Sequence, residues 1–266
     1  MVTTNDIYTY LDQIAPVCTQ MDFDNSGFLV GDRSARVTRV LVTLDITDAV
    51  ITEAENLGAE LIVSHHPLIF HKLSGVCADD PTGKKIMRLI RVGISAVCMH
   101  TNLDIAEGGV NDALMAALDA ETETYLEPAG SGVSGEPIGC GRIGALQDAM
   151  HLPAFLRFLT ERLHVGGLRY VSGGKPVHRI AVCGGSGGSM LELAYAAGCD
   201  TLVTADVKYD RFLTARELGI NLIDADHFCT ENVVVPELAA RLQQQFPELS
   251  VQISALNQTV QFYTAQ

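Results

Sequence analysis

Five side chains offer the imidazole nitrogens and carboxylate oxygens that metal chemistry needs: His65, His66, Asp104, His227 and Glu231. His65 and His66 follow the apolar run Leu61-Ile62-Val63, which reads as a short buried strand, and Pro67 forces the chain to turn. The pair therefore falls at a strand's C-terminal end, where α/β folds build their sites. The plain alternative is that one imidazole caps the strand and the other packs. Two side by side suit that poorly, because neutral imidazole is the commonest metal ligand. Asp104 closes His100-Thr101-Asn102-Leu103-Asp104, directly after the apolar stretch Ile94–Met99. His227 and Glu231 are four apart at the mouth of a helix, so both can face one metal cluster.

Three imidazoles and two carboxylates suit zinc, iron(II), manganese or cobalt. Five ligands exceed what a lone tetrahedral site takes. That excess favours two divalent ions sharing bridging groups about 3.5–4 Å apart, with Asp104 and Glu231 as the bridging candidates. The lack of thiolate pairs argues for an open catalytic site, since structural zinc sites are closed and Cys-rich. Water on such ions has its pKa lowered to about 7 and can act as hydroxide. His100 either moves protons to and from that water or orients Asp104 from behind. Asp226 can cap the last helix, and Cys229 is expected to face away as a small buried residue. Asp45 either lines the same pocket or caps the next helix. Cys183-Gly184-Gly185-Ser186-Gly187-Gly188-Ser189 is either an anion cradle or a tight strand-to-helix turn, the turn being preferred because the P-loop Lys is missing. Asp24-Asn25-Ser26-Gly27 reads as a turn.

The elements that must position these residues alternate. Helical spacing of Ile7, Tyr10, Leu11 and Ile14 is followed by strands at Val40–Leu44, Leu61–Ser64 and Ile94–Met99, with helices near 48–57, 84–92 and 110–118. Alternation of this kind means an α/β fold with mostly parallel sheets. The second half repeats the plan: Arg39-to-Gly58 and Arg179-to-Gly198 have the same spacing, which sets Asp206 opposite His66. We expect two related α/β domains, 1–126 and 127–266, with the metal site at strand C-terminal ends between the halves. The join is placed in the Gly-, Ser- and Pro-rich stretch Glu127–Glu136, and the C-terminal segment is a candidate to pack on the first domain. Four strand ends carry His or Asp, those before His65, His100, Asp206 and His227, and their clustering at one sheet edge would make an acidic, His-rich pocket. A last helix is expected over Glu231–Phe246 and a last strand over Val251–Ile253.

A formal net charge of -14 argues against nucleic acid or an anionic membrane as the main partner and is compatible with divalent cations. Lys72, Lys84, Lys85, Arg88 and Arg91 form the notable basic cluster and read as a solvated helix face. Seven scattered cysteines without a C-x-x-C pair read as reduced thiols, so a cytoplasmic protein is expected. Met1 to Tyr10 has no basic region followed by an apolar stretch, so no secretory signal is expected.

Asp24–Gly31, Ser64–Phe70, His100–Asp104 and Asp224–Glu231 occur in an order that resembles the dinuclear-metal family of GTP cyclohydrolase 1 type 2, also called the NGG-interacting-factor-three-like family. The likeness runs from near Asp6 to near Phe262. It implies two α/β domains in a ring-shaped homohexamer, with His65, His66, Asp104, His227 and Glu231 as ligands of two metals. It also implies a small-molecule substrate, GTP by the family's name. Two positions depart from the family pattern: Asp226 stands where the family tends to have Gly, and Asp210 where it tends to have His. The expected function is a metal-dependent hydrolase whose metal-bridging hydroxide attacks a nucleotide or related small substrate. The alternative is a ring-shaped metal-binding interaction or regulatory protein without turnover.

Overall fold

The computed structural model describes residues 1–133, 135–257 and 260–262. In chain order its elements are α1 (Thr4–Ile14), β1 (Gly27–Val30), β2 (Arg39–Thr43), α2 (Asp48–Leu57), β3 (Leu61–Ser64), α3 (Pro81–Val92), β4 (Ser95–Cys98), α4 (Thr101–Ile105), α5 (Val110–Ala117), β5 (Ala120–Ser131), β6 (Pro137–Met150), α6 (Leu152–Leu163), β7 (Arg169–Val171), β8 (Val177–Val182), α7 (Leu191–Ala196), β9 (Thr201–Thr204), α8 (Tyr209–Leu218), β10 (Asn221–Asp224), α9 (His227–Glu231), α10 (Val234–Gln245) and β11 (Ser250–Ile253). Their described residues form two compact units, Met1–Ala106 with 235–257, and Glu107–Val234 with 260–262.

The division at 126/127 expected from composition is therefore displaced. Residue 126 lies inside β5, and the stretch read as a linker is the far end of the β5–β6 hairpin, where Glu127 pairs with Cys140 and Ser131 with Pro137. Ser134, within that stretch, lies outside the described residues. Gly, Ser and Pro serve a hairpin tip as readily as a linker, so composition does not separate the two.

The first sheet has the order β1-β4-β3-β2-β11. Strands β2, β3 and β4 are parallel, and all four residues of β3 and of β4 are buried, as strands covered on both faces must be. β1 runs antiparallel along one edge, and β11 returns from the C-terminal part to pair in parallel with β2. Leu41, Ile62 and Ala96 of the sheet pack with Val50, Ile51 and Ala54 of α2 and Ile86 and Leu89 of α3. The basic face of α3 is not simply solvated: Arg88 forks onto Glu55 with two 2.8 Å hydrogen bonds, and Lys84 reaches Asp48.

The second sheet, read from its far edge, runs β7-β10-β9-β8-β6-β5. Its first four strands repeat the first sheet's β1-β4-β3-β2, antiparallel edge included. The register repeats as well: Val40 faces Leu61 in the first pair and Ile180 faces Thr201 in the second, with the same separation in sequence. A local device recurs at the same places. Glu60 accepts the N–H groups of Thr38 and Arg39, and Asp200 accepts those of His178 and Arg179. The helices before them end on Gly58 and Gly198, both in the left-handed region at φ 65° and 76°. Phe155 and Leu159 of α6 and Leu114 and Met115 of α5 pack on Ile180, Val182, Val203 and Ile223. The helix expected over Glu231–Phe246 is α10, and a separate short helix, α9, precedes it. Among the described residues, no helix is long and apolar enough to cross a membrane.

Candidate metal centre

In the first unit the backbone of His65 and His66 prolongs the parallel pairing past β3, their N–H groups donating to Thr43 O and Leu44 O. The chain then turns at Pro67. His65 is fully buried, and its Nδ1 lies 2.8 Å from Met99 O. A carbonyl only accepts, so Nδ1 carries the hydrogen and the neutral ring presents its lone pair at Nε2. That Nε2 lies 3.6 Å from Asp104 Oδ1, on α4. His66 Nδ1 donates to Asp45 Oδ1 at 2.8 Å, and His100 Nδ1 to Asp24 Oδ1 at 2.7 Å. Donor nitrogens of His65, His66 and His100 all lie within 4.8 Å of one another.

One open reading closes here. Asp45 orients His66, while Thr47 caps α2 by accepting from Val50 N–H. His100 turns its Nδ1 to Asp24, a residue read from the sequence as part of a turn. Asp24 also accepts from Ser26 Oγ and from the N–H and hydroxyl of Thr101. Burial pushes its carboxyl up, but these donors outweigh burial and hold it well below the usual 3.8. An Asp two residues before a Ser and three before a Gly carries no local sign of this duty, because its partners lie far along the chain. Phe70 meets His100 edge-on at 5.9 Å, and Phe23 meets Phe70 likewise at 6.3 Å.

In the second unit His227 and Glu231 lie one helical turn apart on α9, with Nε2 3.0 Å from Oε2. The opposite ring nitrogen, Nδ1, is 2.6 Å from Asp206 Oδ2, at the end of β9. Burial alone would depress the His227 imidazole, but the Glu231 and Asp206 carboxylates raise it to about 9. The surroundings thus favour positive charge on this ring. Asp226 holds φ at 69°, a region glycine enters freely, and its Oδ1 caps α9 by accepting the Cys229 N–H at 3.0 Å. Cys229 points into the core, and burial pushes its thiol up to about 12.

The four strand ends picked from the sequence are divided two and two: β3 and β4 are neighbours in the first sheet, β9 and β10 in the second. His65, His66, His100 and Asp104 are together in one unit, and His227 and Glu231 in the other with Asp206. In the first unit His65, His66 and His100 form a group that could hold a metal ion. The donor chemistry fits one, because all four imidazoles are tied at Nδ1 to an oxygen acceptor, which orients ligating histidines elsewhere.

A family model described as Duf34/NIF3 (NGG1p interacting factor 3) matches residues 2–260. A GTP cyclohydrolase 1 type 2 homolog of Clostridium perfringens is 35% identical over 242 residues, covering 91% of each chain. One from Streptomyces coelicolor is 34% identical over 235 residues, covering 87% of this chain and 82% of its own. Among solved structures, a Bacillus cereus protein related to NIF3 superposes with a TM-score of 0.92 at 25% identity, covering 99% of each chain. A Staphylococcus aureus protein gives 0.92 at 29% identity, covering 98% of this chain and 99% of that one. Sequence and fold agree over nearly the whole length, and the histidine and carboxylate groups stand on the strand ends of that shared fold: the chain belongs to the Duf34/NIF3 family.

Proposed function

We propose that the protein is a dinuclear-metal-dependent hydrolase of a nucleotide or related small substrate, with GTP as the first candidate from the name its curated relatives carry. His65, His66, Asp104, His227 and Glu231 are the ligands in this reading, for two ions of zinc, iron, manganese or cobalt. The observation that carries it is the fixing of each imidazole through Nδ1, which leaves Nε2 as the ligating nitrogen. Divalent ions, when bound, supply Lewis acidity and acidify water to a pKa of about 7.

The chain's own residues do the rest. Asp45 and Asp206 hold the His66 and His227 rings, and their charge strengthens the basicity of the opposite nitrogen. Asp24 holds His100 so that its Nε2 accepts a proton from the attacking water and returns it to the leaving group. The same reading places the protein in the cytoplasm as a homohexamer, with no nucleic acid or membrane as partner.

Elemental analysis of the purified protein followed by GTP turnover with each metal restored tests the proposal. About two metals per chain and metal-dependent turnover support it. Two metals without GTP turnover move the search to other substrates and favour a metal-binding regulatory protein. No metal after metal-replete preparation overturns it.

A further inference from the structure

The glycine-rich turn after β8 could have been an anion cradle, but its amide hydrogens are directed into the protein. Gly184 N–H donates to Asn111 Oδ1 at 3.0 Å, Gly185 N–H to Thr230 Oγ1 at 3.1 Å, and Gly187 N–H to Thr204 Oγ1 at 2.8 Å. What the glycines provide is room. A Cβ at Gly185 would lie 2.1 Å from Glu231 Oε1 and 3.2 Å from His227 Cε1. One at Gly184 would lie 3.3 Å from Glu231 Cγ and 2.8 Å from Val110 Cγ1.

We propose that this turn is the wall that sets the Glu231 carboxylate, and that Gly185 is the positioning residue within it. The inference rests on the reading of Glu231 as a metal ligand. The turn is held from behind as well as in front. Asn111 belongs to α5, whose next residue, Asp112, takes two hydrogen bonds at 2.7 and 2.8 Å from the buried Arg142 of β6. Thr230, which accepts from Gly185, is the immediate neighbour of Glu231, so the turn and the ligand share one anchor. The atom a new Cβ would strike is the tip of a flexible side chain. Glu231 is buried, and if it swings aside it leaves the His227 Nε2 it faces at 3.0 Å. A methyl group at 185 therefore acts on the position of the ligand.

Gly185 has φ 62°, so any side chain there also strains the backbone. Gly198 is the matched control: it lies in the same unit at φ 76°, and a Cβ there meets nothing within 4 Å. The experiment measures Zn²⁺ affinity of the full chain by chelator competition, with thermal unfolding of the metal-free proteins alongside. G198A is expected to bind as the wild type does. G185A is expected to bind about 10–100-fold more weakly, as when a residue supporting a ligand is lost, and its unfolding transition shows whether it still folds. Wild-type affinity in G185A overturns the inference. If G185A does not fold, G184A takes its place: reduced affinity supports the inference and unchanged affinity overturns it. A wild-type protein that binds no Zn²⁺ defeats instead the assignment of Glu231 as a ligand.

Discussion

Asp104 faces His65 Nε2 at 3.6 Å, close enough for both to reach one cation. Asp104→Ala is expected to lose at least one bound metal per chain by elemental analysis, and unchanged metal content would sink its assignment as a ligand. Asp226 invites a different experiment. Its φ of 69° costs roughly 1–3 kcal/mol in a residue with a side chain, whereas the cap it gives Cys229 is worth about 1 kcal/mol. Replacing a capping residue by Gly costs only a few tenths of a kcal/mol. Asp226→Gly in the metal-free protein should therefore raise the unfolding free energy by about 1 kcal/mol. Asp226→Ala keeps the strain and loses the cap, so it should lower stability by about 1 kcal/mol. Urea unfolding of both variants checks the opposite signs. The residue type at position 226 was legible in the sequence, but the backbone angle that gives it meaning is fixed by β10, the turn after it and α9 together.

The Glu60 clamp is the element-scale feature most open to test. Burial pushes its carboxyl up, but the N–H groups of Thr38 and Arg39 and the Thr38 hydroxyl outweigh it and hold the pKa below the usual 4.5. A carboxyl lowered on folding stabilises the folded state above its unfolded pKa, and that contribution disappears as pH falls through the folded value. Glu60→Gln should cost roughly 1–2 kcal/mol at pH 7. The difference from wild type should shrink as the pH falls through the lowered folded value, below which both chains are neutral at this position. Urea midpoints at pH 7 and pH 3 read it, and a gap that stays constant refutes the clamp. The strands around it were expected at nearly the observed places, because buried apolar runs of four to six residues bounded by turns are a local signal. β5 and the tip of the β5–β6 hairpin were not, since the Gly and Ser residues there carry the same composition as a linker.

At the scale of the whole molecule the chain leaves one unit at Ala106 and comes back to it at Val235. Metal held by the folded chain and not by the unfolded one should stabilise the native state. Chelation by EDTA is expected to lower the unfolding temperature by roughly 5–10 °C when metal had been present at about a hundredfold its Kd. An unchanged transition would mean that the folded chain holds no coupled metal.

Residue type, turn signals and spacing were enough to single out His65, His66, Asp104, His227 and Glu231 as candidates, to place them after strands, and to find the repeat carried by Arg39–Gly58 and Arg179–Gly198. Those are properties of short segments, and short segments announce them. Tertiary structure alone decided which acid orients which histidine: Asp24 with His100, Asp45 with His66, Asp206 with His227. It also decided that β11 closes the first sheet beside β2, and that the glycines at 184 and 185 make space for a carboxylate. Each of these depends on strand order and on residues brought together from distant parts of the chain, and strand order is a property of the packed sheet that no local pattern of hydrophobicity or turn residues encodes.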